Sequence, residues 1–129
     1  MDISADKRNI EVYIIGKINR EIYKCITEDI VTDEVIITDN QIQHIKDRHP
    51  EVYDRVLSNI EEAIRIPDYI IRDKHAYTGL IIKRIQTEEG FLQIVLRLCT
   101  SGDEHGYKNS VISCWKISER RLQNYLRNK

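Results

Sequence analysis

The segment His44-Ile45-Lys46-Asp47-Arg48-His49-Pro50 gathers two imidazoles and two cations within seven residues, at the end of an expected helix. Imidazole titrates near ~6.5, so at neutral pH one ring can accept a proton while a second donates one. On a helical wheel His49 shares the side of Ile42 and Ile45, whereas His44 and Arg48 point elsewhere. A satisfied core or capping histidine is the plain alternative for His49, and surface decoration for His44. Near a helix end the regular wheel ceases to hold, and both rings can then reach one cleft. The i, i+5 spacing is not that of a zinc-binding helix, and no cysteine pair or carboxylate cluster completes a metal site. Nucleotide, Walker and serine-hydrolase fingerprints are missing as well, so the residues point to proton transfer with no metal and no cofactor.

Cations and hydroxyls that would accompany such chemistry lie in the second half of the chain. In 91–100, Leu92, Ile94, Leu96 and Leu98 share one strand face, which leaves Arg97 on the other with Gln93, Val95 and Cys99. A guanidinium there either holds an anion or pairs with a nearby acid. In 110–117 strict alternation puts Ser110 and Lys116 on one face and Trp115, a core candidate, on the opposite one. Lys83 shares a face with Ile81 and Ile85, and Thr100 sits at a strand end where hydroxyls serve either turns or ligands. His75 and His105 fall in loops and carry no specific signal.

The elements that must position these groups can be read from hydrophobic period and punctuation. Residues 10–18 and 22–27 are β-branched and aromatic on either side of Asn19-Arg20, which predicts an N-terminal hairpin. VIIT at 35–38 is a short strand, and Thr38 or Asp39 can cap a helix beginning near Asn40 that Pro50 interrupts. A second helix follows, with Val52, Val56, Ile60 and Ile64 on one stripe, Tyr53 and Leu57 beside it, and a stop before Pro67. Four strands are expected at 68–73, 79–87, 91–100 and 110–117, the middle pair joined by a hairpin around Glu88-Glu89-Gly90. Ser118 then caps a short closing helix with Leu122, Tyr125 and Leu126 on its apolar side. The order β-β-β-α-α-β-β-β-β-α predicts an α+β fold built on an antiparallel sheet.

With 129 residues, 41% of them apolar, the chain is expected to form one domain over 1–129. No apolar run is long enough to span a membrane, the N-terminus lacks the pattern of a secretory signal, and three cysteines without CxxC spacing suit a reducing cytoplasm. Charge is uneven: residues 1–67 carry 9 Lys/Arg against 14 Asp/Glu, whereas 68–129 carry 11 against 7. A basic surface for phosphates therefore belongs to the second half.

GKINREIYKCI, VIITDNQIQHIKDRHP, the helix leading to IPDYI and NSVISCWKISERRLQNYLRNK together resemble the phage-associated nuclease-like domains of the barnase, EndoU, colicin and RelE superfamily. HIKDRHP and NSVISCW carry the most specific part of that likeness. The resemblance implies a small α+β domain with helices preceding a four-stranded antiparallel sheet, which agrees with the N-terminal hairpin, the helices and the short C-terminal helix expected from the residues. It further implies a metal-independent endoribonuclease acting as a phage or mobile-element effector or toxin, with RNA as substrate and an immunity or antitoxin protein as partner. On that reading His44 and His49 do acid–base work, Arg97 stabilises the phosphate, Thr100 and Ser110 add hydrogen bonds, and Arg48, Lys83 and Lys116 bind substrate. The alternative is an inactive module of the same shape that binds nucleic acid through the basic half or a protein through the acidic half.

Overall fold

Runs of β-branched residues supply six strands, and stretches of three-to-four-residue period supply four helices among the described residues. The computed structural model describes residues 11–85 and 89–128, and for residues 51–58 the course of the helix alone. In chain order the elements are β1 (Val12–Lys17), α1 (Arg20–Tyr23), β2 (Glu34–Thr38), α2 (Asp39–Arg48), α3 (Pro50–Arg65), β3 (Tyr69–Arg72), β4 (Thr78–Arg84), β5 (Phe91–Arg97), β6 (Asn109–Ile117) and α4 (Glu119–Arg127). The fold is α+β, and the sheet is six-stranded and mixed, in the order β1-β2-β6-β5-β4-β3. This corrects the expected four-stranded antiparallel sheet. The run from β3 to β6 is antiparallel, but β2 joins β6 in parallel through Val35 opposite Asn109 and Ile36 opposite Ser110, and β1 adds antiparallel to β2.

The N-terminal hairpin is corrected too. Residues 22–27 form no return strand; β1 pairs with β2, from which sixteen residues, 18–33, separate it in the chain. The buried residues of the intervening segment, Tyr23, Ile26 and Ile30, recur every three or four positions, a spacing that suits turns of helix rather than a strand. Asn19 caps α1 by accepting from Glu21 N, and the Tyr23 hydroxyl donates to Ile64 O at 2.7 Å, pinning the segment to α3. Gly79 lets Ile26 lie directly on β4, where any Cβ would collide with its side chain.

Helix boundaries follow local chemistry. Thr38 and Gln41 form a capping box, with Gln41 N donating to Thr38 Oγ1 and Thr38 N donating to Gln41 Oε1, both at 3.2 Å. His49 closes α2 with its N–H on Ile45 O at 2.8 Å, and Pro50 begins α3 at the position where a missing N–H costs no hydrogen bond. Ile60 and Ile64 of the expected stripe are buried, whereas the side chains of Val52, Tyr53, Val56 and Leu57 lie outside the described residues. So do Ile10, at the start of the first expected strand, residues 86 and 87, at the end of another, and Glu88 of the expected hairpin.

The sheet has apolar clusters on both faces. Ile81, Leu92, Ile94, Leu96, Val111 and Cys114 meet Tyr23, Ile45, Ile60 and Ile64 from α1, α2 and α3. Leu80, Ile82, Phe91 and Ile117 meet Leu122, Tyr125 and Leu126 of α4, with Val95 and Trp115 beside them. Strict alternation fails in β6. Val95 faces Ser113 while Leu96 faces Val111, so Ile112 is an extra, bulged residue. The bulge reverses which face the first residues of β6 present. Ser110 pairs with Arg97 and lies on the face of Trp115, contrary to the expected opposition, while Lys116 lies on the other.

Candidate functional site

On the α4 face a continuous row crosses five strands in register: Ile14, Ile36, Ser110, Arg97 and Thr78. Arg97 and Ser110 are its half-buried polar centre. The guanidinium is held in place. Arg97 Nη1 donates to Leu98 O at 2.5 Å and to Asp103 Oδ2 at 2.7 Å, and Nη2 donates to Asp103 Oδ1 at 3.0 Å. This clamp occupies the Nη1–Nη2 end of the fork; among the described residues no acceptor meets the Nε–Nη2 edge, a second bidentate face of the kind that suits two phosphate oxygens. Thr100 belongs to the same cluster, since its N–H donates to Asp103 Oδ2 at 2.8 Å and its hydroxyl approaches that oxygen at 3.4 Å.

Nothing in the spacing of SGDEHGYKN shows that Asp103 is the carboxylate that turns back toward β5. Hydrogen bonds from Arg97, then from the Thr100 N–H, hold its carboxyl well below the usual range, at about 2. The same pairing raises the Arg97 pKa. A carboxyl whose folded pKa lies below its unfolded value near ~3.9 stabilises the fold fully above that value and loses the contribution as pH falls. The stability gap between wild type and Asp103→Asn is therefore expected to stay level from about pH 7 to 5 and to close as pH drops from about 4 through 2. Chemical denaturation at stepped pH measures it; a gap independent of pH would show that the clamp does not form.

The histidine segment occupies a second position on the same sheet. Within β6, β2 pairs with Asn109 and Ser110, and α2, growing out of β2 at Thr38, runs beside β6 beyond them. This brings His49, at the α2–α3 junction, over Trp115, with ring centroids 5.6 Å apart and planes inclined at 26°. His44 and Arg48 are exposed on α2. Trp115 faces Gln93 and Ser110 faces Arg97, so four residue steps of β5, about 13 Å along the strand, separate the two positions. The structure thus joins Arg97, Thr100 and Ser110 in one cluster and sets His49 with Trp115 in another.

Lys83 and Lys116 are placed on the sheet face turned away from Arg97, both flanking Leu92 across the sheet. Lys83 Nζ donates to Ile66 O at 2.7 Å and stands 4.0 Å from Glu62. Lys116 lines an open cleft with Arg84, Gly90, Ser118 and Glu119. Among the described residues no group of three or more His, Cys, Asp or Glu side chains is arranged to hold a metal, and no helix is long and apolar enough to cross a membrane. Cys25 is exposed, and Cys99 and Cys114 are buried free thiols.

A mixed sheet thus carries a clamped guanidinium beside a hydroxyl and, further along the same strands, an imidazole stacked on an indole. The family model for PBECR2, the phage-Barnase-EndoU-ColicinE5/D-RelE like nuclease2 domain, matches residues 12–129. The chain belongs to that nuclease-domain family. Neither the curated proteins nor the solved structures yield a match.

Proposed function

We propose that this nuclease domain is a metal-independent endoribonuclease. It cuts RNA by attack of a 2′-oxygen on the adjacent phosphorus, leaving a 2′,3′-cyclic phosphate and a free 5′-hydroxyl. The reaction needs a base for the 2′-hydroxyl proton, an acid for the departing 5′-oxygen and positive charge at the phosphate. The observation that carries the reading is the arrangement along β5 and β6: a phosphate-sized fork at Arg97–Ser110 and, four residue steps of β5 away, His49 against Trp115. RNA laid along this strand places its scissile phosphate at the end of α2, where His49 and His44 exchange protons and Arg48 supplies charge. Arg97, with Ser110 and Thr100 beside it, anchors a neighbouring phosphate of the same strand. As a phage or mobile-element effector in the cytoplasm, such an enzyme would be restrained by an immunity or antitoxin protein.

The test is incubation of the purified chain with single-stranded RNA in excess EDTA, with analysis of the new 3′ ends. Cleavage that persists in EDTA and leaves cyclic phosphates supports the reading. Cleavage abolished by EDTA, or restricted to DNA, sinks it, and salt-sensitive RNA binding without cleavage favours the inactive module.

A further inference from the structure

One contact of Arg97 is used neither by its clamp nor by the reaction. The guanidinium carbon lies 5.5 Å from the centroid of the Tyr77 ring, within the range of cation–π attraction. Tyr77 closes the loop between β3 and β4 and stands 43% exposed. In a continuous strand the residue before Thr78 would face away from Thr78 and from its partner Arg97. Tyr77 does not, because its φ is +57°, the single non-glycine left-handed residue among those described. That last loop position of a hairpin is where glycine or asparagine is ordinary, and a bulky aromatic residue there is strained. The ring's location is nevertheless fixed, since Leu98 N donates to Tyr77 O at 2.8 Å and ties the loop to the end of β5. A strained backbone therefore holds a solvent-facing aromatic surface against the cation that the proposed function assigns to a phosphate.

We propose that Tyr77 is the platform on which the nucleobase next to the Arg97-held phosphate stacks. The inference rests on the endoribonuclease reading and adds a base subsite to it. A stacking platform accepts any π-face, so it favours unpaired RNA over duplex without demanding a particular base. Arg97 and Tyr77 would then hold one nucleotide by its two ends, phosphate and ring, while the chain continues along β6 to His49.

The experiment uses a 2′-O-methyl oligonucleotide, which cannot undergo transesterification, and a series in which one position at a time is abasic. Wild type is expected to bind one abasic member about 5- to 150-fold more weakly than the intact strand, the range for losing one stacked base. Tyr77→Asn should lose a similar factor on the intact strand and nothing further on that abasic member, because the same contact is removed twice. Tyr77→Phe should bind as wild type does. Asparagine tolerates the left-handed region, so Tyr77→Asn should melt no lower than wild type, which separates loss of a platform from loss of structure. Wild-type protein that cleaves RNA while Tyr77→Asn binds the intact strand unimpaired, or losses that add fully, would overturn the base subsite alone. Failure of the wild type to retain or cleave RNA at all would overturn both readings.

Discussion

Replacing His49 by alanine is expected to lower kcat for RNA cleavage by about 10²- to 10⁴-fold, the usual cost of deleting a proton-transfer group, with KM changed far less. The contrast comes from Arg97→Ala, which removes an anchor and should raise KM more than it lowers kcat. Its partner contacts make this separation possible. Arg97 is fixed by Asp103 and Leu98 at one end of β5, and His49 is fixed over Trp115 about 13 Å along the strand. His44→Ala completes the set, because a two-histidine mechanism requires that it too reduce kcat. His49 also joins two helices, so its alanine variant must be shown to keep the wild-type melting temperature before its rate is interpreted. A folded His49→Ala protein with wild-type kcat would remove the imidazole from the chemistry and leave Trp115 as the reason for its position.

The contrast between what was legible in the chain and what was not has a common physical source. Thr38, Pro50 and Ser118 act on backbone groups within three residues of themselves, and the helix limits they set are visible in the sequence. The four strands after Pro67 were legible for a related reason: each pairs with its chain neighbour across a loop. Pairing between distant segments was not. The parallel contact of β2 with β6 spans more than seventy residues, and no local pattern announces it. Residues 22–27 look like a strand because Ile22, Tyr23 and Ile26 are apolar enough for one, while the spacing that governs them is set by burial against α3 and β4. The bulge at Ile112 mattered most for the site. Alternation carried through β6 without it puts Ser110 on the wrong face, and a single extra residue moves that hydroxyl beside Arg97. Neither Asp103 nor Tyr77 could be chosen from spacing, since loop carboxylates and loop aromatics have no period to betray their direction.

The junction that makes both halves of the site is also where the largest loss of stability is expected. Asn109 is fully buried at the start of β6. Its Oδ1 accepts from Cys99 N at 2.8 Å, and its Nδ2 donates to Thr32 O at 2.8 Å and Glu34 O at 3.0 Å. One side chain thereby joins the exit of β5, the entry of β2 and the first rung of the parallel pair, Val35 opposite Asn109. Asn109→Leu keeps the branching at Cγ and the number of side-chain heavy atoms, and strips partners from an N–H and two carbonyls. Each buried polar group so orphaned costs about 1–3 kcal/mol, less than additively where water can enter, so a total near 3–5 kcal/mol is expected. For a chain of this length that corresponds to a melting temperature lower by about 10–20 °C, readable by circular dichroism. The loss should also reach the chemistry. α2 grows directly from β2, so loosening β2 from β6 shifts His49 relative to Ser110 even in molecules that remain folded. At a temperature where the variant is still native, kcat is therefore expected to fall, and single-nucleotide binding at the Arg97 clamp to weaken as well, because the Cys99 N–H that loses its acceptor lies between Arg97 and Thr100. A variant melting within about 2 °C of wild type would mean that water or neighbouring groups replace the Asn109 amide, and that the parallel junction is held by the strands' own pairing.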